Sequence, residues 1–332
     1  MRSSPKVRVL LLGGLGNQLF GAFFARALSL RFTEKVELSD QLIPFGSNPS
    51  RSLAVDQLPW AIGQNIFIKS SQRLRQKLLI KSSLFRRLTW HSFRLLGRRH
   101  RLNLQDFWQQ QGKSFEKIEL LDYFDDWFFA EYVRTYDSLF DVKREFDKLR
   151  EANPNKDNVL VHVRIGDYLE HPHLYSLLSE TYYLEAINLV KERNNSTNTS
   201  ITVVCEIAEE VRLHFPRLSA MCTEIIDKNG LRSDLDAFKL LASSTHLIAG
   251  NSTFSLWAAW IGLNQRETTI VPEDEQLNAK QSGLRELSWI VLDARTGEKK
   301  ENRPYAPWFK EKEDRFHARI TSLMSLYQTR ER

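Results

Sequence analysis

Residues 158–168 read Asn-Val-Leu-Val-His-Val-Arg-Ile-Gly-Asp-Tyr, and no other stretch constrains the fold as much. An apolar run delivers an imidazole, a guanidinium and a carboxylate within six residues. Side chains alternate across a strand, so Val159, Val161 and Val163 share one face while Leu160, His162 and Arg164 share the other. Gly166 is predicted to break the strand. That places Asp167 and Tyr168 in the loop at its carboxyl end, where open α/β sheets bind their ligands.

The rest of the chain supplies the α/β setting. Val7 to Leu12 reads as a buried strand, followed by Gly13-Gly14-Leu15-Gly16-Asn17-Gln18 and then by the helical stripe Leu19, Phe20, Phe23, Phe24, Ala27 and Leu28. Asn17 is suited to cap that helix. Strand, glycine turn and helix make a Rossmann-like opening, although Leu19 stands where a dinucleotide fingerprint needs a small residue. Gly14 and Gly16 serve either a tight turn or the close approach of a ligand. A short strand follows at 35–38, and residues 41–120 are poorly periodic. A strand from Glu119 runs into the acidic and aromatic Asp122 to Phe129, whose rings either line a sugar site or pack a core. One helix is predicted over about 130–149. Residues 151–158, polar and broken by Pro154, read as a linker. Beyond the 158–168 strand, a helix at 182–192 leads to strand-like runs at 201–205, 224–227, 246–249, 268–271 and 289–292. Helical stretches separate most of these, as in a parallel sheet covered by helices. A charged amphipathic helix occupies 306–332.

A length of 332 residues accommodates two domains with sizeable cores. Cys205 and Cys222, the only cysteines, have no metal-ligand or redox spacing, which points to a reducing compartment. No 18-residue apolar stretch occurs and the N-terminal apolar run is too short for a signal core, so the expected location is the cytoplasm. The net charge of +6 is concentrated. Lys69 to Arg101 hold eleven Lys or Arg and no Asp or Glu, leaving the remainder net acidic. With Leu74, Leu78, Phe85 and Leu88 at near-helical spacing, this segment is either a solvated helical hairpin or a peripheral contact with the inner membrane face or an acidic glycolipid. No recognisable nucleic-acid module surrounds it.

A second feature matches the first. Gly250-Asn251-Ser252-Thr253-Phe254-Ser255 joins a strand to a helix. Small hydroxyl residues at a helix N-terminus either cap the helix or offer N–H groups, hydroxyls and the positive dipole end to a diphosphate. Arg164 beside it would complete a clamp that needs no metal. Asp234-Leu235-Asp236 fits helix capping better than a cation-binding D-x-D, and one of its carboxylates could read guanine donors. His171-Pro172-His173 is too short a cluster for a metal site by itself.

Three blocks, Gly13 to Phe20, His162 to Tyr168 and His246 to Trp260, resemble in order those of the α-1,2-fucosyltransferase family, glycosyltransferase family 11. Tyr123-Phe124 and Phe128-Phe129 resemble the aromatic stretch between the first two. The resemblance implies a GT-B-like α/β fold, two Rossmann-type domains facing a cleft: an acceptor-side domain at 1–153 and a donor nucleotide-sugar-binding domain at 154–305. It further implies inverting, metal-independent transfer of fucose from GDP-fucose, with no cofactor. The acceptor would be a galactoside hydroxyl, α-1,2-linked in the product, on a surface glycan such as a lipopolysaccharide or O-antigen precursor. Arg164 would then hold the β-phosphate, Ser252, Thr253 and Phe254 with Asn251 would complete the diphosphate pocket, and His162 would support the donor. Asn17, with Gly14 and Gly16, would face the sugar, and Asp236 would read guanine. Asp167 is the candidate base, its alternatives being to orient Arg164 or to cap a helix. Two positions depart from the pattern. Ile165 stands where a second arginine is common, and Gly21 where glutamine is frequent, so a different nucleotide-sugar donor is one alternative. A nucleotide-dependent oxidoreductase built on the first glycine turn is another.

Overall fold

The computed structural model describes residues 7–31, 36–43, 52–63, 66–69, 101–102, 118–153, 158–170, 172, 175–194, 199–273, 289–301 and 308–328. The basic segment 69–101, apart from its two end residues, lies outside the described residues, as do His171 and His173. Among the described residues no helix is long and apolar enough to cross a membrane.

Alternating and continuous apolar runs build two predominantly parallel sheets, one in each of two units, Met1–Phe140 with Ala306–Arg332 and Asp141–Tyr305. In the first unit β1 (Val7–Leu10), β2 (Val36–Ser39), β3 (Ile66–Lys69), β4 (Arg101–Leu102) and β5 (Ile118–Leu121) lie in the order β3-β2-β1-β5-β4, all parallel. Register places Arg8 opposite Glu37 and Glu119, and its guanidinium pairs with both, reaching Glu119 at 2.7 Å. A slip of one residue would turn Arg8 to the other face and strand three buried or half-buried charges, so the triad pins the central strands.

Helix α1 (Leu15–Ser29) is buried along almost its whole length. Phe20 meets Trp127 edge-on at 4.8 Å and Phe24 stacks on Phe124 at 4.3 Å. Phe124 has φ 51, in the left-handed region where an aromatic residue is strained, and the buried stack holds it there. Phe124, Phe128 and Phe129 therefore pack a core, and of this run Tyr123 is the exposed ring, at 50%. The single helix expected over 130–149 is two, α2 (Phe128–Tyr136) and α3 (Val142–Glu151). The break has tertiary and local causes. Asp137 accepts from Arg26 Nε at 2.6 Å and from the Leu139 N–H, while Asp141 caps α3 by accepting from the Arg144 N–H at 3.1 Å.

The second unit contains β6 (Val159–Val163), α4 (Gly166–Glu170), α5 (Glu180–Arg193), β7 (Ile201–Cys205), α6 (Ala208–His214), α7 (Pro216–Met221), β8 (Glu224–Ile226) and α8 (Asp234–Ala242). It continues with β9 (His246–Ile248), α9 (Thr253–Ile261), β10 (Thr268–Glu273), β11 (Ile290–Asp293) and β12 (Lys299–Lys300). The sheet runs β12-β11-β10-β9-β6-β7-β8, and β12 is its antiparallel member. Without β12 this is the doubly wound Rossmann order, whose direction switches between β6 and β9. Val159, Val161, Val163 and Ile165 join Tyr182, Tyr183, Ile187 and Leu218 in one buried cluster. His162 faces the opposite side, 5.5 Å from the Phe254 ring of α9. Two Rossmann-type units in one chain are what the GT-B-like expectation called for.

The division differs from the expected 153/154 boundary because α3 packs on α8 and α9 and so joins the second unit. The terminal helix, α10 (Trp308–Gln328), is part of the first unit. It buries Phe316 against Phe128, Phe129 and Tyr132 of α2.

Candidate active site

The switch point between β6 and β9 gathers most of the expected residues. β6 ends at Val163. Arg164 and Ile165 follow it, and Gly166 begins the short helix α4 rather than an open loop. Asp167 and Tyr168 therefore ride on a helical turn. The side chain of Asp167 lies outside the described residues. Arg164 is about a quarter exposed, its guanidinium lies 5.7 Å over the Tyr168 ring, and Nη1 is 3.3 Å from Glu206 Oε2. Tyr168 is itself fixed, donating its hydroxyl to the Asn251 carbonyl at 2.9 Å and stacking on Tyr175 at 4.5 Å. The Arg164 platform is thus tied to the loop after β9.

That loop approaches β6 closely. A Cβ on Gly250 would lie 2.9 Å from the His162 carbonyl oxygen, 3.1 Å from its Nδ1 and 3.6 Å from the Arg164 nitrogen, so glycine is needed for the approach itself. Asn251 is buried. Its Nδ2 donates to the Ser176 carbonyl at 2.7 Å, so its amide shapes the loop. Ser252 is the N-cap of α9, accepting from the Ser255 N–H at 3.3 Å, and Ser255 Oγ donates to the Gly250 carbonyl at 2.8 Å. The capping role is therefore real, and it leaves half-buried Thr253 and Phe254 in the first turn at the positive end of the dipole. α9 itself is apolar on all sides, with Leu256, Trp257, Trp260 and Ile261 buried, as a helix enclosed by α3, α8 and the sheet must be.

His162 is buried and its Nδ1 makes no hydrogen bond. Burial, reinforced by the Arg164 charge, pushes its pKa down to about 3. The imidazole is therefore neutral and a poor base near pH 7, which fits the supporting role better than proton transfer. Asp236 is tied to the N-cap Ser233: its N–H donates to Ser233 Oγ at 3.2 Å, and that hydroxyl donates to Asp236 Oδ2 at 3.0 Å. Two residues later Phe238 packs on Phe254 at 5.7 Å, which puts the start of α8 at the same end of the sheet.

The first glycine turn belongs to the first unit. Gly13 has φ +66, the left-handed region, and a Cβ there would meet Asn17 Nδ2 at 2.7 Å. Asn17 does not cap α1. The N-cap is Gly14, with no side-chain bond, and Asn17 sits half-buried in the first turn with its amide over Gly13, while Gly16 is buried inside the helix. Gly21 is likewise a packing position, since a Cβ would strike Leu11 Cδ2 at 2.6 Å. Ile165, the departure from the three-block pattern, is fully buried in the core cluster.

Three residues escaped the sequence reading. Gln18 donates to the Gly13 and Ser52 carbonyls and accepts from the Ala54 and Val55 N–H groups, pinning 52–55 to the glycine turn. Glu206 partners Arg164. Arg266 is buried and donates to the carbonyls of Leu241, Ala242 and Ser244 at the end of α8 and of Ala258 and Ala259 at the end of α9. Burial lowers its pKa to about 9, so it stays charged at pH 7 against both negative dipole ends. Only the acidic character of Glu206 and the lone arginine after a Gly-Leu-Asn turn hinted at these roles. Among the described residues no three His, Cys, Asp or Glu side chains are grouped to hold a metal ion.

An alpha-1,2-colitosyltransferase of Escherichia coli is 28% identical over 180 residues, covering 52% of this chain and 57% of that protein. The O-antigen biosynthesis glycosyltransferase WbnK of Escherichia coli is 24% identical over 143 residues, covering 42% of this chain and 45% of its own. The chain thus spans about half the length of the curated relatives it matches. The crystal structure of fucosyltransferase NodZ from Bradyrhizobium aligns with a TM-score of 0.41 at 12% identity, over 78% of this chain and 94% of that one. The family model described as glycosyl transferase family 11 matches residues 6–293, and the chain belongs to that family.

Proposed function

We propose that the protein is a glycosyltransferase that moves fucose from GDP-fucose to a galactoside hydroxyl of a surface glycan precursor, forming an α-1,2 linkage with inversion and without a metal. One observation carries the reading: Arg164, leaving β6, and the N-terminus of α9, following the neighbouring β9, share the carboxyl edge at the switch point. A guanidinium and a helix N-terminus there would neutralise the departing diphosphate, and that leaving-group stabilisation is the largest task in such a transfer. Neutral His162 supports the loop from beneath. Asp167 removes the acceptor proton, and Asp236 reads the base. The O-antigen biosynthesis relative favours a surface-glycan acceptor. The basic segment remains the proposed contact with a membrane or glycolipid.

A second donor has a specific observation behind it. The relative named for colitose transfer, together with Ile165 in place of the second arginine, makes GDP-colitose the first alternative. The oxidoreductase alternative is disfavoured by family membership and by Leu19, which is buried in the core at the fingerprint's third position.

Thermal-shift and product assays across a panel of nucleotide sugars, with EDTA and with added Mg²⁺, test the reading. GDP and GDP-fucose are expected to stabilise the protein equally well in EDTA, and indifference to every nucleotide would sink the proposal. Arg164→Ala is expected to lower kcat/KM by roughly 10²–10³-fold. In the same assay, Asp167→Asn retaining most of its kcat would remove Asp167 as the base.

A further inference from the structure

We propose that Glu206, directly after β7, is the resident counter-ion of Arg164: it holds the guanidinium between turnovers, gives it up to the donor diphosphate, and limits how tightly the nucleoside diphosphate product is kept. This rests on Arg164 being the diphosphate partner. The contact between the two is long, 3.3 Å, and their side chains are 24% and 37% exposed, so an incoming anion can reach the guanidinium. Pairs of that kind contribute little to folding stability. The carboxylate lies over Gly166, where a Cβ would meet Glu206 Oε2 and lie 3.1 Å from its Cδ. The Tyr168 ring, anchored on Asn251, supports the guanidinium independently, so Arg164 keeps a support when the carboxylate lets go. A carboxylate left beside a diphosphate repels it and raises the cost of retaining it.

Calorimetric binding of GDP and of inorganic diphosphate, with steady-state kinetics, on the full chain and its Glu206→Gln, Glu206→Asp and Arg164→Ala variants tests the assignment. Glu206→Gln is expected to bind both anions about tenfold more tightly, with kcat and KM falling together as product release slows. Glu206→Asp, with a shorter reach, is expected to gain less, and it carries the comparison if the Gln variant does not fold. Unchanged or weaker binding, or a rise in KM with a fall in kcat as a structural lesion gives, overturns the proposal. Tighter diphosphate binding that Arg164→Ala abolishes, alongside no binding of GDP, would leave the counter-ion standing and remove the GDP-sugar reading instead.

Discussion

At the scale of the residue, burial changes the ionisation of His162 strongly. Unfolded, its imidazole takes up a proton below about pH 6.5, whereas in the native state it stays neutral down to about pH 3. Between those values the unfolded chain binds the extra proton, so stability falls as the pH drops through that window. From pH 7 to pH 5 the residue should cost about 2 kcal/mol of stability, at 1.36 kcal/mol per pK unit. Urea titrations at the two pH values should show that loss in the parent and less of it in His162→Asn. Equal pH dependence in both would show that the imidazole charges in the native state.

At the scale of the element, Arg266 bridges the carboxyl ends of α8 and α9, whose amino ends lie at the carboxyl edge of the sheet. Arg266→Met removes five donated hydrogen bonds and leaves buried carbonyls without them. It is expected to lower stability by roughly 3 kcal/mol or more, read by chemical denaturation, and to weaken GDP binding by less than Arg164→Ala does. The contrast shows what a sequence reveals. Strand β6 and the turn into α9 were legible because their signals are local, a period of two and a Ser-x-x-Ser cap within a few residues. The partners of Arg164, Arg26 and Arg266 were not, since Glu206 is 42 residues from Arg164 and Asp137 is 111 from Arg26. The same distance hid the interruption between α2 and α3. Charge periodicity continues across it, and a tertiary ion pair stops the helix. Of the two uses open to the aromatic residues at 124–129, a sugar platform or a core, the structure shows the core.

At the scale of the whole molecule, the last helix completes the first unit. Phe316 is 3% exposed and meets three aromatic rings of α2, while Tyr132 and Arg31 both bond His317. Phe316→Ala is expected to cost about 3–5 kcal/mol through the lost contacts and the cavity, measured as a shift in the denaturation midpoint. A loss under about 1 kcal/mol would mean that α10 is peripheral to that core. Because the chain leaves the first unit after Phe140 and rejoins it at Ala306, the second unit is one uninterrupted run of sequence, Asp141–Tyr305, inserted within the sequence of the first. Arg164, Glu206, Asp236 and the α9 turn all travel within it. Under the proposed reading, with the donor held by the second unit, donor preference would pass between relatives as a single cassette with two joints, and acceptor preference would be inherited separately.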